Sequence, residues 1–335
     1  MSSLLSLLLH SLYECRLTSR CCSALSSTLS SPHSRLTELN LSINYNMEDS
    51  GVDQLCEGLR SENCKLEKLS LSQRVFTFRC SSALCSVLSS PHSQLTELNL
   101  TVNNMEDSGL DKLCEGLRSE NCKLETLDLY HCCLTSRCCS ALSSALSAPH
   151  SRLTELNLSV NNMEDLGVDQ LCEGLRSENC KLEKLNLCCC DLTYRCCSAL
   201  SSALSSPHSR LTELDLSFNK MEDSGVDQLC EWLRSENCKL EALNLSQCRL
   251  TSRCCSALSS ALSSPHSRLT ELNLSNNNME DSGVDQLCEG LRSENCKFET
   301  VRLGGNKISQ SKKMDLWSLQ EELNKTGRQV NISTW

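Results

Sequence analysis

The chain has 335 residues, and its 42 acidic side chains outnumber 32 basic ones to leave a formal charge of -10. That balance argues against general nucleic-acid binding and against attraction to anionic membranes. No apolar run approaches the roughly 20 residues that a membrane span requires.

From the N-terminus, the first recognisable phrase is Cys15-Arg16-Leu17-Thr18-Ser19-Arg20-Cys21-Cys22, which aligns with Cys248–Cys255. Residues 1–34 therefore read as an incomplete first repeat. Its strand is expected at about Leu7–Leu12, with His10 in place of the central leucine. The chain is either a piece of a longer protein or begins with a frayed unit. The apolar run Leu4–Leu9 has the look of a secretory core, but basic residues do not precede it and an Ala-x-Ala site does not follow.

From Leu36 the chain repeats itself. Leu-Thr-Glu-Leu opens at Leu36, Leu95, Leu153, Leu211 and Leu269. Midway between, Lys-Leu/Phe-Glu-x-Leu/Val opens at Lys65, Lys123, Lys181, Lys239 and Lys297. Counted from leucine to leucine, with Phe298 closing the series, the step is 30 residues once and 29 thereafter. Such a period marks a solenoid, in which each unit buries its apolar face only against its neighbours. Residues 35–296 thus divide into nine units of two alternating types.

Both types begin Leu-x-x-Leu-x-Leu-x-x-(Asn or Cys)-x-(Leu or Met). The Leu-x-Leu spacing sends both side chains to one face of a short strand. The period then changes: Val168, Leu171, Cys172 and Leu175 form one helical stripe, as do Cys254, Ala257, Leu258, Ala261 and Leu262. Asp165 and Thr251 are expected as N-caps, and Glu164 and Asp165 suit the positive end of a helix. The column Cys15, Asn44, Arg74, Asn103, Cys132, Asn161, Cys190, Asn219, Cys248, Asn277, Asn306 should satisfy backbone groups that turn inward after each strand. Arg74 breaks it, and a buried guanidinium is costly, so the turn there should shift and expose it. Residues 297–335 hold a last strand around Val301-Arg302-Leu303 and an amphipathic capping helix, Ser309–Lys325, with Leu316, Leu319 and Leu323 spaced to dock.

The expected fold class is α/β, a right-handed leucine-rich repeat solenoid (a horseshoe) over residues 1–335. It has about ten parallel strands on the concave face and helices on the convex face. Alternating 28–29-residue units with Asn in one type and Cys in the other resemble the ribonuclease-inhibitor class. The phrases MEDSGVDQLCEGL from Met279 and CKLEALNLSQCRLT from Cys238 are similar to the leucine-rich tail of NACHT-containing innate immune receptors (NLR proteins), including the fish sets. The resemblance implies a reduced, cytoplasmic, non-catalytic protein.

Candidate chemistry reduces to packing. The 27 cysteines recur with the repeat, and buried free Cys behaves as a small hydrophobe. Disulfides between them would pull the stack out of register, so oxidation should unfold the protein. Cys188-Cys189-Cys190 near Cys132-Cys133 has the donor chemistry of zinc, but packing thiols are the expected reading. His33, His92, His150, His208 and His266 recur in Pro-His-Ser loops without a repeating acid beside them, as expected of solvated loops. Gly304-Gly305-Asn306-Lys307 lacks phosphate-loop spacing. No catalytic site, metal or cofactor is expected. The sequons at Asn40, Asn99, Asn157, Asn244 and Asn273 would place glycans on the binding sheet of a secreted protein, a conflict that a cytoplasmic location removes.

A partner should meet the strand positions 3, 5, 7 and 8 of each unit. Against otherwise near-identical repeats, Tyr130, His131 and Phe218 stand out as rings, and Asp128, Asp215, Glu155 and Glu213 supply charge. These seven residues form the candidate partner-binding face, for a protein with a basic patch. Phe76, Phe78, Tyr194 and Trp232 depart from the repeat on the other side, and Trp232, in place of a helix glycine, is the competing contact for a neighbouring domain. Two functions fit: the ligand-sensing or autoregulatory repeat region of an NLR-like receptor, or a free-standing ribonuclease-inhibitor-like protein that wraps a basic partner. The scarcity of aromatic anchors weakens the second.

Overall fold

The computed structural model describes residues 11–73 and 78–334. Arg74 with its expected shifted turn, Phe76 and most of the strand expected at Leu7–Leu12, His10 included, lie outside those residues. The chain forms two compact units, one of Met1–Asn162 with Ser177–Leu182, the other of Met163–Arg176 with Glu183–Trp335.

In the first unit, α1 (Ser19–Leu29), β1 (Glu38–Asn40), α2 (Asp49–Leu59), β2 (Lys68–Ser70), α3 (Phe78–Leu88), β3 (Glu97–Asn99), α4 (Glu106–Leu117) and β4 (Thr126–Asp128) alternate. A 3-10 turn, Ser136–Cys138, then leads into α5 (Cys139–Leu146) and β5 (Glu155–Asn157). The five strands pair parallel in chain order, with Glu38, Lys68, Glu97, Thr126 and Glu155 in register. The second unit holds α6 (Glu164–Leu175), β6 (Lys184–Asn186), α7 (Cys197–Leu204), β7 (Glu213–Asp215), α8 (Glu222–Leu233) and β8 (Ala242–Asn244). It continues with α9 (Cys255–Leu262), β9 (Glu271–Asn273), α10 (Asp281–Arg292), β10 (Thr300–Arg302), α11 (Gln310–Lys325) and β11 (Asn331–Ser333). Its strands also pair parallel in chain order. Among the described residues no helix is long and apolar enough to cross a membrane.

The strand-then-helix alternation of a leucine-rich repeat solenoid is therefore as the 29-residue period requires. Strand leucines such as Leu39, Leu41, Leu98 and Leu100 are buried, as is the helical stripe Val168, Leu171, Cys172 and Leu175. In α9 the stripe differs by one residue: Cys255 is buried and Ala257 only half-buried. One strand was not expected. β11 follows the capping helix and adds to β10, with Val301 opposite Ile332. Ser309 caps α11 by accepting from the Lys312 N–H at 3.2 Å, and Leu316, Leu319 and Leu323 are buried beneath it.

The Asn/Cys column is the polar spine of the stack. Asn161 Oδ1 accepts the N–H groups of Cys132 and Leu134 in the preceding repeat at 2.9 and 3.1 Å. Its Nδ2 donates to the carbonyls of Leu129, Leu158 and Ser159. Asn219 and Asn277 repeat this pattern. The Cys132 thiol donates to the Leu100 carbonyl at 3.1 Å, so the thiol does part of the amide's work.

Thr251 caps its turn as expected, accepting from the Arg253 N–H. Asp165 does not act as an N-cap. α6 already begins at Glu164, and the Asp165 carboxylate instead reaches the next repeat, accepting from the Thr193 N–H at 2.8 Å and hydroxyl at 2.6 Å. Asp107 and Asp223 hold Thr135 and Thr251 in the same way. A short bidentate bond across units satisfies the carboxylate better than a cap within its own helix.

Helix glycines set how closely α1 meets α2, α3 meets α4 and α9 meets α10. A Cβ at Gly58 would lie 2.7 Å from the Ser26 Cα and carbonyl oxygen. At Gly290 it would lie 2.8 Å from the Ser259 backbone.

Candidate functional site

The open strand face of the first unit is built from a short alternation. Position 3 of each strand carries Glu38, Lys68, Glu97, Thr126 and Glu155, and position 5 carries Asn40, Ser70, Asn99, Asp128 and Asn157. Asn40, Asn99 and Asn157 turn their Oδ1 atoms onto the backbone N–H two residues on, which fixes the amides on the surface. Asp128 does the same to the Tyr130 N–H at 3.0 Å. Burial pushes its carboxyl above the usual carboxylate range, against the opposing pull of the Tyr130 N–H and the Asn157 side chain. Lys68 pairs with Glu97 at 2.7 Å. A cavity of about 430 Å³ opens on this face, with Glu38, Lys68, Glu97 and Asp128 among its walls.

Tyr130 is exposed, and its ring centroid lies 6.2 Å from that of His131, tilted by 47°. Asp128 and Glu155 therefore lie on the neighbouring strands β4 and β5 of one unit, with Tyr130 and His131 in the turn that follows β4. Glu213, Asp215 and Phe218 belong to the other. There, Glu213 pairs with Lys184 at 3.3 Å. Asp215 accepts from the Ser217 N–H and hydroxyl and from Asn244 Nδ2. Phe218 is 52% exposed.

His131 and Phe218 share a feature the repeat pattern does not announce. Position 8 is left-handed in every unit whose strand is described, from Ile43 at φ 57° through His131 at 51° and Phe218 at 58° to Gly305 at 72°. These side chains stand in the turn after the strand, not on it.

Two tyrosines escaped the sequence reading. Tyr13 and Tyr45 are 48% and 61% exposed. Tyr13 occupies position 7, as Tyr130 does, but counting from Leu7 into the incomplete first repeat was needed to see it. Tyr45 sits at position 10, past the strand positions expected to meet a partner. Trp232 does not suit the competing assignment: its side chain is 1% exposed and packed inside the helix layer, and among the described residues its Nε1 has no hydrogen-bond partner. Phe78 and Tyr194 are exposed, each beginning a helical segment.

None of the 27 cysteines, all among the described residues, is in a disulfide. Burial pushes Cys56, Cys132, Cys172, Cys230 and Cys248 up to about 12. Cys15, Cys133 and Cys189 are exposed. The five loop histidines from His33 to His266 are exposed.

This arrangement of parallel strands, polar spine and alternating helices defines a leucine-rich repeat protein. The "Leucine Rich repeat" family profile matches residues 93–114, 120–143, 151–172, 209–230, 236–259 and 267–288. Among known proteins, the repeats resemble those of NACHT, LRR and PYD domains-containing protein 1a allele 1 of Rattus norvegicus, at 54% identity over 71 residues. That match covers 20% of this chain and 6% of the relative. The 1b allele 4 protein of Mus musculus is 52% identical over 71 residues, 20% of this chain and 8% of the relative. The matched segments thus span less than a tenth of these relatives. A solved internalin (inlF) of Listeria monocytogenes covers 90% of this chain and 85% of its own, at 17% identity and a TM-score of 0.50, a likeness of fold alone.

Proposed function

We propose that the chain is the ligand-sensing or autoregulatory repeat region of an NLR-like innate immune receptor, working in the cytoplasm as a non-catalytic scaffold for protein partners. The observation that carries this reading is the 54% identity of its repeats to a NACHT- and LRR-containing relative. Chemistry supports that compartment: cysteines that recur at repeat spacing, most of them buried and none in a disulfide, suit a reducing environment. Each unit offers a partner its own open strand face, with Asp128, Tyr130, His131 and Glu155 in one and Glu213, Asp215 and Phe218 in the other. An acidic chain of net charge -10 favours a partner with a basic patch, and such association weakens with salt. Sequencing of full-length transcripts 5′ of the Met1 codon tests the receptor assignment. An in-frame NACHT-coding segment is the expected result; transcripts that consistently start translation at Met1 would remove it.

A further inference from the structure

Position 7 of the first five repeats holds Tyr13, Ser42, Ser72, Thr101 and Tyr130. Two exposed rings thus bracket three small hydroxyl residues, four strand spacings or about 19 Å apart. The 430 Å³ cavity lies beside this row, and Asp128, on its wall, is tied to Tyr130 through the backbone. The walls carry three carboxylates, Glu38, Glu97 and Asp128, against one ammonium, Lys68. That ammonium is committed to Glu97 at 2.7 Å, with the Glu38 carboxylate acting on it only at longer range. The trough therefore combines a negative floor with aromatic posts, one at each end.

We propose that the trough on β1–β4 receives an extended basic segment of a partner protein, laid across the strands between Tyr13 and Tyr130. This assignment rests on the scaffold reading above and narrows it to one part of one unit. An extended chain rises about 3.3 Å per residue, so about six residues span the distance between the rings. An Arg or Lys side chain enters the cavity toward Glu38 and Asp128. Tyrosine faces attract cations and supply the large, rigid contact area that interfaces concentrate. The Ser and Thr row leaves room for the backbone of the guest.

The test is fluorescence anisotropy at low salt with a labelled hexapeptide, Arg-Ala-Arg-Ala-Arg-Ala, and its Glu-Ala counterpart as control. The basic peptide should bind and the acidic one should not. Glu38→Lys should weaken binding at least tenfold and Glu38→Gln less, Tyr13→Ala and Tyr130→Ala about threefold each, and Glu173→Gln, on the exposed side of α6, not at all. Glu38, Tyr13 and Tyr130 are exposed, so these variants should keep the wild-type unfolding midpoint, which is measured alongside. Loss on Phe218→Ala with Glu38→Lys and Tyr13→Ala unchanged would overturn this site while sparing the scaffold reading. Equal binding of both peptides, or of neither, would overturn the charge-selective trough itself.

Discussion

At the scale of single residues, the stack depends on asparagines that look ordinary in the sequence. Asn161 is 7% exposed and makes five hydrogen bonds, two as acceptor and three as donor. Removing one partner leaves buried backbone groups unsatisfied at about 1–3 kcal/mol each. Asn161→Ala should therefore cost roughly 3 kcal/mol or more by denaturant unfolding, and Asn157→Ala, on the open face, under about 1 kcal/mol. Equal losses would show that the spine is not what joins the repeats. Asp128 makes a pH-dependent counterpart. Its folded carboxyl titrates above the ordinary carboxylate value, so its contribution is intact below that value and is lost as pH rises through the raised one. Asp128→Asn should accordingly leave stability unchanged in acid and raise the unfolding midpoint at neutral pH. A gain confined to acid would contradict the sign.

At the scale of elements, the period made strands and helices legible, because Leu-x-Leu and the i, i+3, i+4 stripe each have one physical solution. The spine was legible too, since Asn or Cys recurs where the strand ends. What the period hid were interactions between units. Asp165 reads locally as a helix cap, yet its partner Thr193 lies 28 residues on. β11 has no Leu-x-Leu signal. It is fixed by α11, whose Gln320 and Asn324 side-chain oxygens accept from the N–H groups of Ile332 and Val330 at 2.6 and 2.8 Å. Trp232 read as an outward departure because glycine at that place in other helices suggests surface, whereas Gly58, Gly116 and Gly290 are buried contact points. Two substitutions test this. Gly58→Ala improves helix propensity by about 1 kcal/mol but drives a methyl into the Ser26 backbone, and should lower Tm. Trp232→Gly lets α7 approach α8 as α9 approaches α10, so it should cost less than the roughly 3–5 kcal/mol of truncating an aromatic in a rigid core. A raised Tm for the first or a full core penalty for the second would refute glycine-controlled packing. The candidate site was half legible. Tyr130, His131 and Phe218 were visible as departures from near-copies, but ion pairing is not written in composition, and Glu213 turns out to be bound to Lys184.

At the scale of the whole molecule, reactivity should follow exposure, not cysteine count. Native protein treated with iodoacetamide at pH 8 should be labelled quickly at Cys15, Cys133 and Cys189. Thiols raised to about 12, such as Cys132 and Cys172, stay protonated there and should react only after denaturation. Rapid native labelling of Cys132 in peptide mass spectra would show that the repeats open far more readily than their packing implies.

The central claim is that partners meet the strand face and not the helices. Site-specific photo-crosslinking in cells is the most direct measurement, with p-benzoylphenylalanine placed at position 130, at position 218, or at position 173, where exposed Glu173 lies on α6. The account predicts discrete protein adducts from positions 130 and 218, reduced by added salt in lysate, and none from position 173. Adducts from position 173 alone would contradict it.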